Sequence, residues 1–160
     1  MVAKLKNGYT GTSITQLAGA VDGSARGASM VGFDHTNAKG VGPYVTGGGF
    51  GTAPRLLNNL DDWQFIACSF SADALSVVNT LVADAKNGIQ TVQKTSTNAL
   101  GSNRLIGLGN GYFNQANGTT VKMQFDCAEF MIFTGTKTLS ELEDIYKRSQ
   151  IRMQFKNISI

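Results

Sequence analysis

Proline occurs twice and histidine once in these 160 residues, cysteine twice, and charged side chains make up only 16%. Each scarcity excludes something. No apolar run approaches the length of roughly 20 residues that a bilayer-spanning helix needs, so no membrane insertion is expected. Two cysteines, Cys68 and Cys127, are too few for a disulfide framework, and their spacing fits no metal motif. Each falls inside an apolar stretch, where a strand-to-strand disulfide competes with a pair of buried free thiols. Free thiols are the expectation, since buried cysteine behaves as a small hydrophobe. His35 would be the only base open to a serine triad. No Gly-x-Ser-x-Gly elbow accompanies it, so it reads as a surface loop residue. The 14 basic residues are scattered, only Lys147 and Arg148 being adjacent, which gives no stripe for nucleic acid. The opening Met-Val-Ala-Lys-Leu-Lys carries charge but no apolar stretch behind it, so no secretory signal is evident.

Glycine, by contrast, is abundant: 19 residues, against an average usage of about 7%. Turns made with glycine rather than proline suit a chain dense in strands. Strands are expected over 28–34, 62–70, 75–82, 88–94, 104–108 and 119–133, with the run at 88–94 alternating like an exposed edge. Residues 71–73 should turn the hairpin between the second and third of these. In the long run at 119–133, Met123, Phe125 and Cys127 share one parity and Ala128, Phe130 and Ile132 the other. A β-bulge is therefore expected near Cys127. Residues 35–55 are glycine-rich but match neither the dinucleotide fingerprint nor the Walker pattern.

One helix stands out. Thr138 and Glu141 are spaced for a capping box, and Leu139, Leu142, Ile145 and Tyr146 line one face over 138–149. Beyond it Ile151, Met153 and Phe155 alternate with polar residues, which predicts a last half-buried strand. Residues 1–27 read as a separate leader or short neck. There Ser13 and Gln16 could cap a short helix, with Ile14, Leu17 and Val21 at heptad-like spacing as an oligomer seam. The remaining 28–160 read as one domain.

Three segments carry a family resemblance. Trp63-Gln-Phe-Ile-Ala-Cys-Ser-Phe70 resembles the Trp-x-x-Val-Ala-x-x-Phe/Tyr strand of laminin-G-like, concanavalin-A-like jelly rolls. Asn103-Arg-Leu-Ile-Gly-Leu-Gly109 is similar to their strand carrying Ile-Gly. Ala128-Glu-Phe-Met-Ile-Phe133, with Leu139-Ser-Glu-Leu-Glu143 and Tyr146, resembles their closing strand, turn and helix. Gly27-Ala-Ser-Met-Val-Gly-Phe33 is similar to a segment of bacteriophage tail spikes and fibres. The resemblance implies an all-β antiparallel sandwich of jelly-roll type with one short helix in its C-terminal half. It also implies a virion module, a homotrimer by analogy with fibres and spikes, touching other virion proteins and bacterial surface polysaccharide.

The chemistry of the side chains points to binding. Glycosidases on such sandwiches often carry Glu-x-Asp-x-x-Glu on a strand, and nothing here matches. Asp126 and Glu129 have odd spacing, which puts them on opposite faces of a regular strand, so no catalytic residue is expected. Asp61, Asp62, Asp34 and Asn37 could ligate calcium but read more simply as turn residues; neither a metal nor a cofactor is expected. The loop 109–118 combines Asn110, Tyr112, Phe113, Asn114 and Gln115. Its rings could stack on a sugar and its amides bond the hydroxyls, and loops on rigid scaffolds often carry function. Folding of Tyr112 and Phe113 inward, or onto another subunit, is the competing reading. The expectation is a non-catalytic glycan-binding module, with a structural virion role, in capsid decoration or at a fibre base, as the alternative.

Overall fold

The computed structural model describes residues 1–5, 15–21, 27–35, 38–45, 62–71, 73, 75, 77–95, 107–108 and 125–160. They form nine strands and one helix: β1 (Val2–Leu5), β2 (Thr15–Val21), β3 (Gly27–His35), β4 (Ala38–Val45), β5 (Gln64–Ser69), β6 (Val77–Asp84), β7 (Gly88–Thr95), β8 (Gly107–Leu108), β9 (Phe125–Glu129) and α1 (Leu139–Gln154). Every pairing among them is antiparallel. One sheet has the order β7-β6-β5-β1-β9, the other β4-β3-β2-β8.

Side-chain alternation splits the core into two layers around the five-stranded sheet. Met1, Ala3, Ile66 and Val82 pack with Leu17, Ala18 and Val41 of the other sheet. Their neighbours in sequence, Val2, Phe65, Leu81 and Ala83, point the opposite way and pack with Leu142, Ile145, Tyr146 and Met153 of α1. A strand buried on both faces reads as an unbroken apolar run rather than as clean alternation. This is why 65–68 and 81–83 are apolar at consecutive positions. The expected edge strand is the edge among the described residues: there β7 pairs only with β6, and of its positions Val92 alone is buried. The turn into it needs a positive φ at Gly88 (70°), and Asp84 ties the turn by accepting the Lys86 and Asn87 amides at 2.9 and 2.6 Å.

The capping box forms as the spacing predicts. The Glu141 amide donates to the Thr138 hydroxyl at 3.2 Å, and the Thr138 amide donates to the Glu141 carboxylate at 2.7 Å. Removing the cap in Thr138→Ala should cost about 1 kcal/mol. Equilibrium urea unfolding checks this, and an unchanged midpoint would count against the cap.

Three expectations are overturned. The last strand is instead the last turns of α1, which runs to Gln154. Between Tyr146 and Phe155 there is no glycine or proline to stop a helix, and Ser149 and Met153 extend the buried stripe at spacings of three and four. Just past the helix Asn157 takes φ 55°. There the Ile158 amide donates to Met153 O and the Asn157 amide to Gln154 O, a Schellman closure.

The neck helix is a strand: Thr15–Val21 pairs with β3 and β8. Gly19 has φ 144°, and the register breaks between Gln16 and Ala18, so Leu17 and Ala18, adjacent in sequence, both reach the core. Leu17 is wholly buried, so it cannot be an oligomer seam; Val21 continues the strand, and Ile14 lies outside the described residues. Residues 1–5 are no leader either, since β1 lies between β5 and β9.

Finally, of the long strand at 119–133 only Phe125–Glu129 is a strand among the described residues. The bulge is where the parity change put it: Ala3 opposes Cys127 but Val2 opposes Glu129, leaving Ala128 over. Phe125 accordingly packs toward the second sheet and Ala128 toward α1.

Candidate functional site, an apolar slot beside β5

The loop residues chosen for sugar binding, Asn110, Tyr112, Phe113, Asn114 and Gln115, lie outside the described residues. So do Asn37 and Asp61, while His35 and Asp34 sit in β3. Trp63 is half-buried against the α1 side of the core, with the Lys4 ammonium 5.1 Å from its ring centre.

What the described residues do assemble is a slot of about 460 Å³. It lies between β5 and the chain that follows β9, next to Met1. β1 fills the space between β5 and β9 as far as Met1, whose main chain exchanges two hydrogen bonds with Ile66 at 2.7 and 2.8 Å. Past that point β5 continues through Ala67, Cys68 and Ser69, and the chain beyond β9 continues through Phe130–Phe133. No strand among the described residues lies between them. In an antiparallel ladder, alternate residues aim their amide and carbonyl at the same neighbour. Gln64 and Ile66 face β1, so Cys68 aims its main-chain pair into the slot, where it has no partner among the described residues. The main chain of Phe130–Phe133 has none among them either.

The walls are apolar. Leu142 and Ile145 of α1 close one side, Ala18 and Gly19 of β2 the other, and Phe130 and Phe133 stand at the rim. Ile132 and Phe133 remain 60% and 49% exposed. The far end is clipped, because the Lys137 amide donates to Ser69 Oγ at 2.6 Å and Asn79 Nδ2 donates to Lys137 O at 2.8 Å.

Neither cysteine is disulfide-bonded. Burial pushes the Cys68 thiol up to about 12, only partly opposed by a hydrogen bond from the Thr80 hydroxyl at 3.8 Å. It is a protonated apolar filler rather than a nucleophile, since reactivity belongs to the thiolate. Cys127 is exposed, unlike the buried thiol expected there.

Glu129 serves α1. Arg152 donates to its Oε1 from Nε and to the Ser149 hydroxyl from Nη2, at 3.0 Å for the latter. Burial opposes ionisation of Glu129. The Arg152 hydrogen bond and its guanidinium charge outweigh it and hold the carboxyl below its ordinary range. Oε2 is buried with no hydrogen-bond partner among the described residues, so Arg152 on Oε1 is the stabilising contact. A depressed carboxylate adds stability above its unfolded pKa of about 4.3 that disappears as pH falls through the lower folded value. Thermal melts should therefore show that Glu129→Gln narrows the stability gap between pH 6 and pH 3; an unchanged gap would remove Glu129 from the acid response.

Among the described residues no group of three or more His, Cys, Asp or Glu side chains could hold a metal ion, and no helix is long and apolar enough to cross a membrane. No family model, curated protein or solved structure matches the chain.

The slot was missed in the sequence, yet a signal was there. Phe130-Met131-Ile132-Phe133 is apolar at both parities, although it follows a strand at the sheet edge. Four consecutive apolar residues cannot all turn inward from one extended segment, and an exposed run of that kind marks a surface awaiting contact.

Proposed function

We propose that the chain is a non-catalytic binding module of a bacteriophage virion, of jelly-roll type, that adsorbs to bacterial surface polysaccharide. The observation that carries the reading is where the resembling segments fall. Trp63–Phe70 covers β5, Gly107–Leu108 is β8, and Ala128–Tyr146 spans the end of β9, the turn and the capped start of α1. The segment similar to phage spikes and fibres, Gly27–Phe33, lies along β3. The sugar target rests on the rings and amides of Tyr112, Phe113, Asn110, Asn114 and Gln115. Glycan-array binding by the purified chain tests it: a specific polysaccharide should be retained, and Tyr112→Ala with Asn114→Ala should abolish retention while the far-ultraviolet circular dichroism is unchanged. Retention that survives both changes would move the site elsewhere, and no retention would end the glycan reading.

The second reading, a structural virion role through protein contacts, is favoured by a separate observation. Ile132 and Phe133 expose apolar surface beside the apolar slot, the kind of surface that a protein covers. A homotrimer, as fibres and spikes suggest, would use this surface or others outside the core, since Leu17 is interior.

A further inference from the structure

We propose that the outer face of the last turns of α1, Ile151 and Phe155 among Lys147, Arg148 and Lys156, seats the chain on a lipid bilayer that carries anionic headgroups. The helix lies on the bilayer and does not cross it. The proposal goes beyond both functional readings and stands whether or not the chain binds glycan.

The helix has one face to bury and has already buried it. Leu142, Ile145, Tyr146, Ser149 and Met153 form the inner stripe toward the five-stranded sheet. At about 100° per residue, Ile151 stands on the opposite side from Ser149 and Met153. Phe155 follows one turn later, still in helical conformation at the C-cap. The two side chains are 57% and 86% exposed. A helix that served only to cover a sheet would carry polar residues on this side.

Cations surround the pair. The carboxylates of α1, Glu141, Glu143 and Asp144, all fall in its first two turns. Residues 145–156 hold Lys147, Arg148, Arg152 and Lys156 and no acid, and all four cations are exposed. Arg152 is matched by Glu129. Lys156 donates to Ala128 O at 2.9 Å, a carbonyl that does not neutralise it. Lys147 pairs with Asp144 at 3.5 Å with both side chains 63% exposed, and a surface pair of that kind is weak and screened. The helix dipole accounts for cations near a C-terminus. It does not account for a phenylalanine in water among them.

The mixture of chemistries selects the occupant. Phe155 offers at most about 200 Å² of apolar surface and Ile151 less. That is far below the roughly 800 Å² per partner of a stable protein–protein interface. A polyanion such as nucleic acid would pair with the cations and leave the ring in water. An anionic bilayer takes both: the apolar side chains enter the acyl boundary while the ammonium and guanidinium groups stay at the headgroups, as in helices that lie in the interface. The attraction of basic residues to such a surface falls off within a Debye length. With only two apolar anchors, the contact is reversible and sensitive to salt.

The test uses the full chain and sedimentable vesicles, one set of phosphatidylcholine alone and one of phosphatidylcholine mixed equally with phosphatidylglycerol. Co-sedimentation with the mixed vesicles at low salt is expected, declining as sodium chloride is raised. Phe155→Ser should weaken it about tenfold or more, and Lys147→Gln with Arg148→Gln by a similar factor. Both should leave the circular dichroism unchanged, because the three positions are exposed. Phe155→Trp should add an emission that shifts to the blue on the mixed vesicles, whereas Trp63, half-buried in the core of the unmodified chain, should not shift. Equal binding to both vesicle sets, binding to neither, or binding that neither change weakens would overturn the proposal. Polyglutamate bound by the chain without vesicle binding would make the face a polyanion patch. A dimer that Phe155→Ser dissolves, again without vesicle binding, would make the occupant a second copy. Either result overturns it as well.

Discussion

Leu17→Asp should leave the chain unfolded or barely folded, with no cooperative thermal transition near that of the unmodified protein. Leu17 is wholly buried where β2 meets the five-stranded sheet, packed with Val41, Ile66 and Val82. Truncation to alanine alone costs about 2–5 kcal/mol at such a site. Aspartate adds the burial of a carboxyl among the apolar side chains of that cluster. Leaving such a group unpaired costs several kcal/mol more. The sum reaches the stability of a typical domain, about 5–15 kcal/mol. Leu17→Ala, losing only the first part, should fold with a lowered urea midpoint, and the pair of variants separates lost packing from buried charge. If Leu17→Asp melts as the parent does and merely changes its sedimentation mass, the side chain is at a surface seam and the two-sheet core is wrong.

The same residue shows where the sequence could and could not be read. Ile14, Leu17 and Val21 satisfy helical spacing, and Ser13 with Gln16 satisfies a capping box, so the local pattern favours a helix. Tertiary pairing decides otherwise: β3 and β8 flank the segment, and a register break lets Leu17 and Ala18 face inward together. A period of two interrupted by a bulge is easily mistaken for a period of 3.6 over so few residues. The tail posed the opposite problem. Ile151, Met153 and Phe155 alternate, but Ile151 and Phe155 are exposed, and only Met153 belongs to the core, reached by helical steps from Tyr146 and Ser149.

Where local chemistry is self-sufficient, reading succeeded. The Thr138–Glu141 box, the hairpin strands β5 and β6 and the edge strand β7 each depend on residues close in sequence, and the bulge after Cys127 left its parity change in the local pattern. The slot depends on segments far apart along the chain coming together, Ala18 and Gly19 with 65–71, 130–137 and the start of α1. No local pattern encodes that meeting. What the sequence did carry was its consequence, the unbroken apolar run at 130–133.

Phe65→Ala should be the most damaging change on the other side of the central sheet. Phe65 is wholly buried between β5 and α1, its ring 5.4 Å from that of Tyr146 and tilted by 50°. Loss of a buried phenylalanine costs about 3–5 kcal/mol, of which the aromatic pair itself accounts for about 0.5–1.5 kcal/mol. At about 2–4 °C per kcal/mol for a chain of this size, the thermal midpoint should fall by roughly 10 °C. Tyr146 also donates its hydroxyl to Ile160 O at 3.1 Å and accepts from Gln150 Nε2 at 2.7 Å, which ties the chain's last residues to the helix. Tyr146→Phe keeps the ring and removes those bonds, costing about 1 kcal/mol. Combined with Phe65→Ala its effect should be additive, whereas Tyr146→Ala, which removes the ring itself, should be coupled to it. Equilibrium unfolding of the singles and doubles measures both. Additivity for both pairs would mean that the two rings do not touch, and α1 would then be packed on some other part of the sheet.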